Sequence, residues 1–213
     1  MKGTYFISGI DTNIGKSIIT GILARELRKQ GKNVITQKMV QTGNEEFSED
    51  IEIHRKIMNI DFLDVDKDMT TAPEIFSYPC SPHLAAKIDK REIDLNKIKD
   101  ATQKLESLYE IVLLEGAGGL MVPLTDDYLS IDYICDNNIP LIFVTSGKLG
   151  SLNHTLLNLK IIKDYGINLY KVVYNLYPKT DSIIEEDSLL FIKNYLKKEF
   201  PETLFEVIDE INI

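Results

Sequence analysis

Apolar residues in this chain gather in short runs, separated by longer stretches in which they recur at helical spacing. The runs are Tyr5–Ile10, Asn33–Val40, Glu110–Leu114, Pro140–Thr145 and Leu169–Tyr174. Most are nearly continuous, which predicts strands covered on both faces. Helices are predicted over Ile18–Lys29, Asp50–Asn59, Leu95–Leu108, Leu129–Asp136 and Leu152–Tyr165, with Gly31 closing the first. A last helix over Ser182–Lys198 and a terminal strand over Leu204–Ile208 complete the pattern. Strand and helix in alternation predict an α/β fold, a doubly wound and mainly parallel sheet with helices on both faces. The stretch from 59 to 93 fits neither period. It holds Pro73, Pro79 and Pro82 with acidic Asp61, Asp64, Asp66 and Asp68, and reads as a long excursion over the sheet edge. No internal repeat or heptad run is visible.

The 213 residues, 44% hydrophobic and 27% charged, suit one α/β domain spanning 1–213. The net charge of −9 argues against a nucleic-acid or anionic-membrane surface, where Lys and Arg must dominate. Cys80 and Cys135 stand alone, without a CxxC pair, and read as reduced thiols. No apolar stretch approaches the roughly 20 residues that span a bilayer, and no signal peptide is visible. A cytoplasmic chain is expected.

In open parallel sheets ligands bind at the carboxyl ends of the strands, so the residues just after each run carry the candidate chemistry. After the first comes Gly9-Ile10-Asp11-Thr12-Asn13-Ile14-Gly15-Lys16-Ser17, leading into a helix. This is a phosphate-binding arrangement. Inward backbone N–H groups and the helix N-terminus cradle phosphates, Lys16 neutralises them, and the Ser17 hydroxyl can ligate Mg²⁺. Five residues separate Gly9 from Gly15 where the strict pattern has four. After the second run come Lys38, Thr42 and Gly43. After the third come Glu115-Gly116-Ala117-Gly118-Gly119, read as a carboxylate before a glycine-rich turn. After the fourth comes Lys148-Leu149-Gly150-Ser151 with Asn153, and after the fifth Asn175 and Leu176.

Each candidate has a plain structural alternative. Glu115 can hold a cation or finish a turn. Ser48 or Asp50 can simply cap a helix. Lys38 can face a ligand or solvent, and Asp11 could orient it by a charge-assisted hydrogen bond. The helix start at Gly150–Ser151 can take a carboxylate, or Ser151 can be an ordinary N-cap. His54, His83 and His154 show no metal-ligand spacing, so zinc is not expected.

Taken together, these blocks resemble the dethiobiotin synthetase family over most of the chain. The resemblance lies in Gly9–Ser17, Lys38 with Thr42-Gly43, Asp50, Ser81-Pro82-His83, Glu115–Gly119, Lys148–His154 and Asn175. It implies a P-loop NTPase fold and an ATP-dependent carboxylation without biotin. CO₂ or bicarbonate forms a carbamate on 7,8-diaminononanoate, ATP phosphorylates it, and the second amine closes the ring. It further implies that Lys16 and Lys38 neutralise charge on the phosphates and carbamate. Ser17, Asp50 and Glu115 would surround Mg²⁺. Asn13, Ile14, Gly15, Ile18, Gly116, Ala117, Gly118, Asn175 and Leu176 would contact the nucleotide, with Asn175 reading the adenine. Thr42 would contact the substrate in one protomer of a homodimer, and Gly150, Ser151 and Asn153 would bind its carboxylate from the other. Two departures stand out. Met39 replaces a common proline, and Phe205–Ile208 matches the family's base-enclosing segment only loosely. A cobyrinic-acid-type ligase would need an amidotransferase domain for which the chain is too short. A partitioning-type ATPase would carry an extra lysine early in the loop, where Ile10 and Asp11 stand.

Overall fold

The computed structural model describes residues 1–177, 179 and 181–209. Strands β1 (Gly3–Gly9), β2 (Val34–Lys38), β3 (Gln41–Thr42), β4 (Ile75–Phe76), β5 (Ile111–Gly119), β6 (Leu141–Ser146), β7 (Leu169–Asn175) and β8 (Leu204–Ile208) alternate with helices. The helices are α1 (Lys16–Lys29), α2 (Glu49–Met58), α3 (Asp64–Lys67), α4 (Pro82–Ile88), α5 (Leu95–Leu108), α6 (Ser130–Asp136), α7 (Ser151–Asp164) and α8 (Ser182–Glu199). Six strands form one sheet in the order β2-β5-β1-β6-β7-β8, every pair parallel. The predicted α/β architecture and the terminal strand are therefore present. β1 lies inside the sheet, between β5 and β6, so its phosphate loop emerges at the centre of the rim.

Both faces of the sheet are covered, which is why its strands carry so few polar residues. Tyr5 and Ile7 of β1 pack with Ile19, Ile22 and Leu23 of α1 and Ile57 of α2. Phe6, between them, points the other way, into a core with Ile98, Ile131, Leu159 and Ile192 from α5, α6, α7 and α8. The period of two along β1 thus serves two separate apolar layers. Among the described residues, no helix is long and apolar enough to cross a membrane.

The irregular stretch from 59 to 93 covers the β2 edge, as expected, and contains more order than its sequence predicts. It carries α3, β4 and α4, and β4 pairs with β3 in a small parallel sheet. The Thr71 carbonyl accepts from Lys38 N at 2.7 Å, and the Glu74 carbonyl from Gln41 N at 2.8 Å. Two of its acidic residues, Asp66 and Asp68, are structural. Asp66, 4% exposed, accepts from Arg55 Nε at 2.8 Å, Arg55 Nη2 at 2.7 Å, Thr71 Oγ1 at 2.7 Å and Leu63 N at 2.8 Å. Arg55 also donates to Thr36 Oγ1 of β2 at 2.8 Å, so one buried guanidinium ties α2, β2 and the excursion together. Asp68 accepts from Lys104 of α5 at 2.7 Å. Asp66→Ala leaves Arg55 buried without its carboxylate and is expected to destabilise the fold by about 3 kcal/mol in urea unfolding. The exposed Asp64→Ala should leave the unfolding midpoint unchanged.

Candidate active site

The phosphate loop is shaped by two close approaches. A Cβ on Gly9 would stand 2.8 Å from the Val144 carbonyl oxygen, so only glycine lets β6 pass this near. Gly15 caps α1 at φ +86, and a Cβ there would meet Asn175 Nδ2 at 2.7 Å. The cap supplies no side-chain acceptor, so the first N–H groups of α1 remain for an anion. Ile10 takes the position of the strict motif's first glycine, and its N–H bonds to the Val144 carbonyl at 3.1 Å. The extra residue is absorbed by this continued pairing with β6.

Lys16 is 7% exposed and donates to the Asp11 carbonyl at 2.7 Å, crossing its own loop. Burial, with repulsion from Lys38, lowers its pKa to about 8. A phosphate bound there favours the protonated amine. Above about pH 8 the free protein lacks that proton and must take one up on binding. ADP affinity in metal-free buffer should therefore fall as pH rises past 8, with proton uptake visible as a buffer-dependent heat in calorimetry.

Beside the loop, the end of β2, the middle of β5 and the starts of α1 and α2 bring a lysine, two carboxylates and a hydroxyl together. Lys38 Nζ lies 2.5 Å from Asp50 Oδ2 and 2.8 Å from Glu115 Oε1, and donates to the Gly116 carbonyl at 3.2 Å. Ser17 Oγ lies 2.6 Å from Asp50 Oδ1 and 2.9 Å from Glu115 Oε1. Glu115 is fully buried and Lys38 is 5% exposed. Burial opposes both charges, yet Glu115 and Asp50 hold the Lys38 ammonium above its ordinary range. In the same way Lys38 and His54 hold the Glu115 carboxyl below its own. Lys38 therefore faces this cluster and not solvent, and Asp50 joins it without capping the helix. Ser48, not Asp50, caps α2 by accepting from Ile51 N at 3.2 Å, and its own hydroxyl donates to Gln41 Oε1 at 2.6 Å.

The donor set around Ser17 is made of oxygens, the chemistry that Mg²⁺ selects. Among the described residues no group of three or more His, Cys, Asp or Glu forms a protein-only cage. One or two carboxylates completed by a hydroxyl and phosphates are what Mg²⁺ takes, so the residues fit it.

Two clefts flank the loop. One, of about 780 Å³, is lined by Thr12, Lys16, Lys38, Thr42, Asp50 and Glu115, with Asn13, Gly15, Ser17, Ile18, Ala117 and Gly118 also on its wall. The other, of about 440 Å³, is lined by Thr12, Asn13, Ile14, Gly150, Ser151, Asn175 and Tyr177. Thr42 and the Gly150–Ser151 turn therefore do not share a cleft within one chain. Asn153 is exposed on α7, and Leu176 packs against the core while its N–H bonds to the Ile208 carbonyl at 2.9 Å.

Several details differ from the sequence reading. The Asp11 carboxylate does not orient Lys38; it accepts from Thr12 N at 2.7 Å. The Gly116–Gly119 run is no turn. It stays in β5, pairing Gly119 with Gly9 after a register shift. Ser151 is not an N-cap, because Gly150 holds that position and the Ser151 hydroxyl lies 2.9 Å from Ser146 Oγ. Asn175 is 2% exposed and donates to the Ile14 carbonyl at 2.8 Å and the Tyr177 carbonyl at 3.1 Å. Its amide hydrogens thus fix the phosphate loop to the end of β7. Met39 donates its N–H to the Glu115 carbonyl at 2.9 Å, a bond that proline could not make. The sequence reading missed His54, whose Nε2 lies 2.9 Å from Glu115 Oε2. The available signal was its place four residues after Asp50, on the same helical face.

A family model described as an AAA domain matches residues 3–203. The ATP-dependent dethiobiotin synthetase BioD 2 of Pasteurella multocida is 50% identical over 100% of both chains. The BioD 2 enzyme of Haemophilus influenzae is 53% identical over 86% of this chain and 96% of its own. The ATP-dependent dethiobiotin synthetase BioD of Chlorobaculum tepidum is 48% identical over 93% and 83%. A solved ParA family ATPase from Chlorobium tepidum superposes with a TM-score of 0.56 at 18% identity, covering 100% of this chain and 86% of that one. That likeness concerns the fold.

Proposed function

The chain belongs to the family of ATP-dependent dethiobiotin synthetases, and from that premise we propose how its rim carries out the reaction. A carbamate formed from CO₂ on one amine of 7,8-diaminononanoate attacks the γ-phosphate of ATP, releasing ADP. The second amine then attacks the carbamoyl carbon, closing the ureido ring of dethiobiotin and expelling phosphate. Both steps crowd negative charge onto carbamate and phosphate oxygens, so electrostatic clamping is the main source of rate.

In this reading the α1 N-terminus and Lys16 hold the phosphates. Ser17, Asp50 and Glu115 hold Mg²⁺, which when bound supplies further positive charge to the phosphate oxygens. Lys38 presents its ammonium to the carbamate, and Thr42 orients the diamine along the larger cleft. The observation that carries the reading is the convergence of Lys16, Lys38, Ser17, Asp50 and Glu115 on one rim. The test is ADP release and incorporation of ¹³C-bicarbonate into a cyclic urea. Both should require diaminononanoate, and ATP hydrolysis indifferent to the diamine would refute the assignment.

The same reading makes the enzyme a homodimer with each substrate site at the interface and 1–213 acting as one domain. Support comes from the separation of Thr42 from Ser151 within one chain and from exposed apolar side chains around α7, Leu149 at 78% and Leu157 at 56%. Lys16→Ala and Asn153→Ala should each be impaired alone. Mixed and reassociated, they should recover about a quarter of wild-type activity, because half of the dimers then hold one intact site. No recovery on mixing would place both functions in one subunit. Cys80 and Cys135 are free thiols, which suits a reducing cytoplasm.

A further inference from the structure

We propose that His54 is a positioning residue that sets the Glu115 carboxylate for its cation. The proposal rests on the reading of Glu115 as a Mg²⁺ ligand.

The two oxygens of Glu115 have different partners. Oε1 lies 2.8 Å from Lys38 Nζ and 2.9 Å from Ser17 Oγ, at the face where phosphates and cation belong. Oε2 lies 2.9 Å from His54 Nε2. A carboxylate only accepts, so Nε2 carries the hydrogen and donates it. With Oε2 tied back, the carboxylate plane is fixed and Oε1 is turned toward Ser17. Both residues are wholly buried, which shields this bond from bulk solvent.

Packing alone does not call for an imidazole here. The other ring nitrogen, Nδ1, is buried and has no hydrogen-bond partner among the described residues, a cost that a leucine in the same space would avoid. The ring is retained for its Nε2–H. The brace also couples two ligands mechanically. Asp50 and His54 lie one turn apart on α2, so one helix face supplies a ligand and the support for another. Ligand-supporting hydrogen bonds of this type tune metal affinity.

The experiment is a titration of Mn²⁺, standing in for Mg²⁺, into protein held in excess over ADP, with free Mn²⁺ counted by electron paramagnetic resonance. His54→Leu should weaken Mn²⁺ binding about 10- to 100-fold, while ADP binding in metal-free buffer stays at the wild-type value. His54→Gln, whose amide reaches as far as Nε2, should stay within about threefold of wild type. Glutamine as weak as leucine, or leucine within about twofold of wild type, would overturn the proposal. If His54→Leu does not fold, His54→Asn replaces it. Its amide falls short of Glu115, so asparagine and glutamine of equal affinity would overturn the proposal too. Glu115→Gln separates the two readings. Wild-type Mn²⁺ affinity there removes Glu115 as a ligand, whereas weakened affinity beside an unaffected His54→Leu sinks only the brace.

Discussion

Lys16→Ala lowers turnover by about 10³-fold, roughly 4 kcal/mol of transition-state stabilisation, without destabilising the fold. The loss follows from position. Lys16 is the cation at the mouth of the α1 N-terminus, and its amine already donates within the loop, to the Asp11 carbonyl. The neutral effect on stability follows from its lowered pKa. A lysine whose folded pKa, about 8, lies below its ordinary 10.5 is penalised for its charge in the fold. That penalty is fully present below pH 8 and fades as pH rises from about 8 through 10.5. Alanine removes the penalty, so the melting temperature at pH 7 should hold or rise. Steady-state ADP release and a thermal melt decide the matter together. Full turnover refutes the loop assignment, and a collapsed melt would trace the lost activity to unfolding.

Such pairing of function with local instability is also where the sequence spoke most clearly. Lys16 opens the helix after β1, Lys38 ends β2 and Glu115 follows the apolar run of β5, and the parallel topology sends all three to one rim. That much follows from strand order and period. What the sequence could not fix were contacts decided by the third dimension. Asp50 had two candidate roles until Ser48 was seen to cap α2. Asp66 reads in the sequence only as one of four acidic residues in an irregular excursion, because its partner Arg55 sits on a different element. The Gly116–Gly119 run looked like a turn, since glycine is poor in strands. It remains a strand because β1 continues beside it as far as Gly9. His54 shows no metal-ligand spacing in the sequence, and its contact with Glu115 spans two elements.

Lys38→Met is expected to behave in the opposite way to Lys16→Ala, losing both turnover and stability. Turnover should fall about 10³-fold, because the ammonium proposed to face the carbamate is gone. Stability should fall by about 3 kcal/mol at neutral pH, because Asp50 and the fully buried Glu115 lose the charge that offsets their burial. The pH dependence has a definite sign. Lys38 has a folded pKa above its ordinary 10.5, so its contribution is present below that value and is lost only in strong alkali. Glu115 has a folded pKa below its ordinary 4.5, so its contribution is present above that value and is lost as acid protonates it. The gap between wild type and Lys38→Met should therefore be wide from about pH 5 to 10 and close toward acid, where Glu115 takes up a proton. The double variant Lys38→Met/Glu115→Gln should regain part of the stability and none of the activity, since the fully buried Glu115 charge is gone, Asp50 still lacks its partner, and no cation returns. A Lys38→Met enzyme that melts like wild type across that window, or turns over diaminononanoate normally, would remove this lysine from the site.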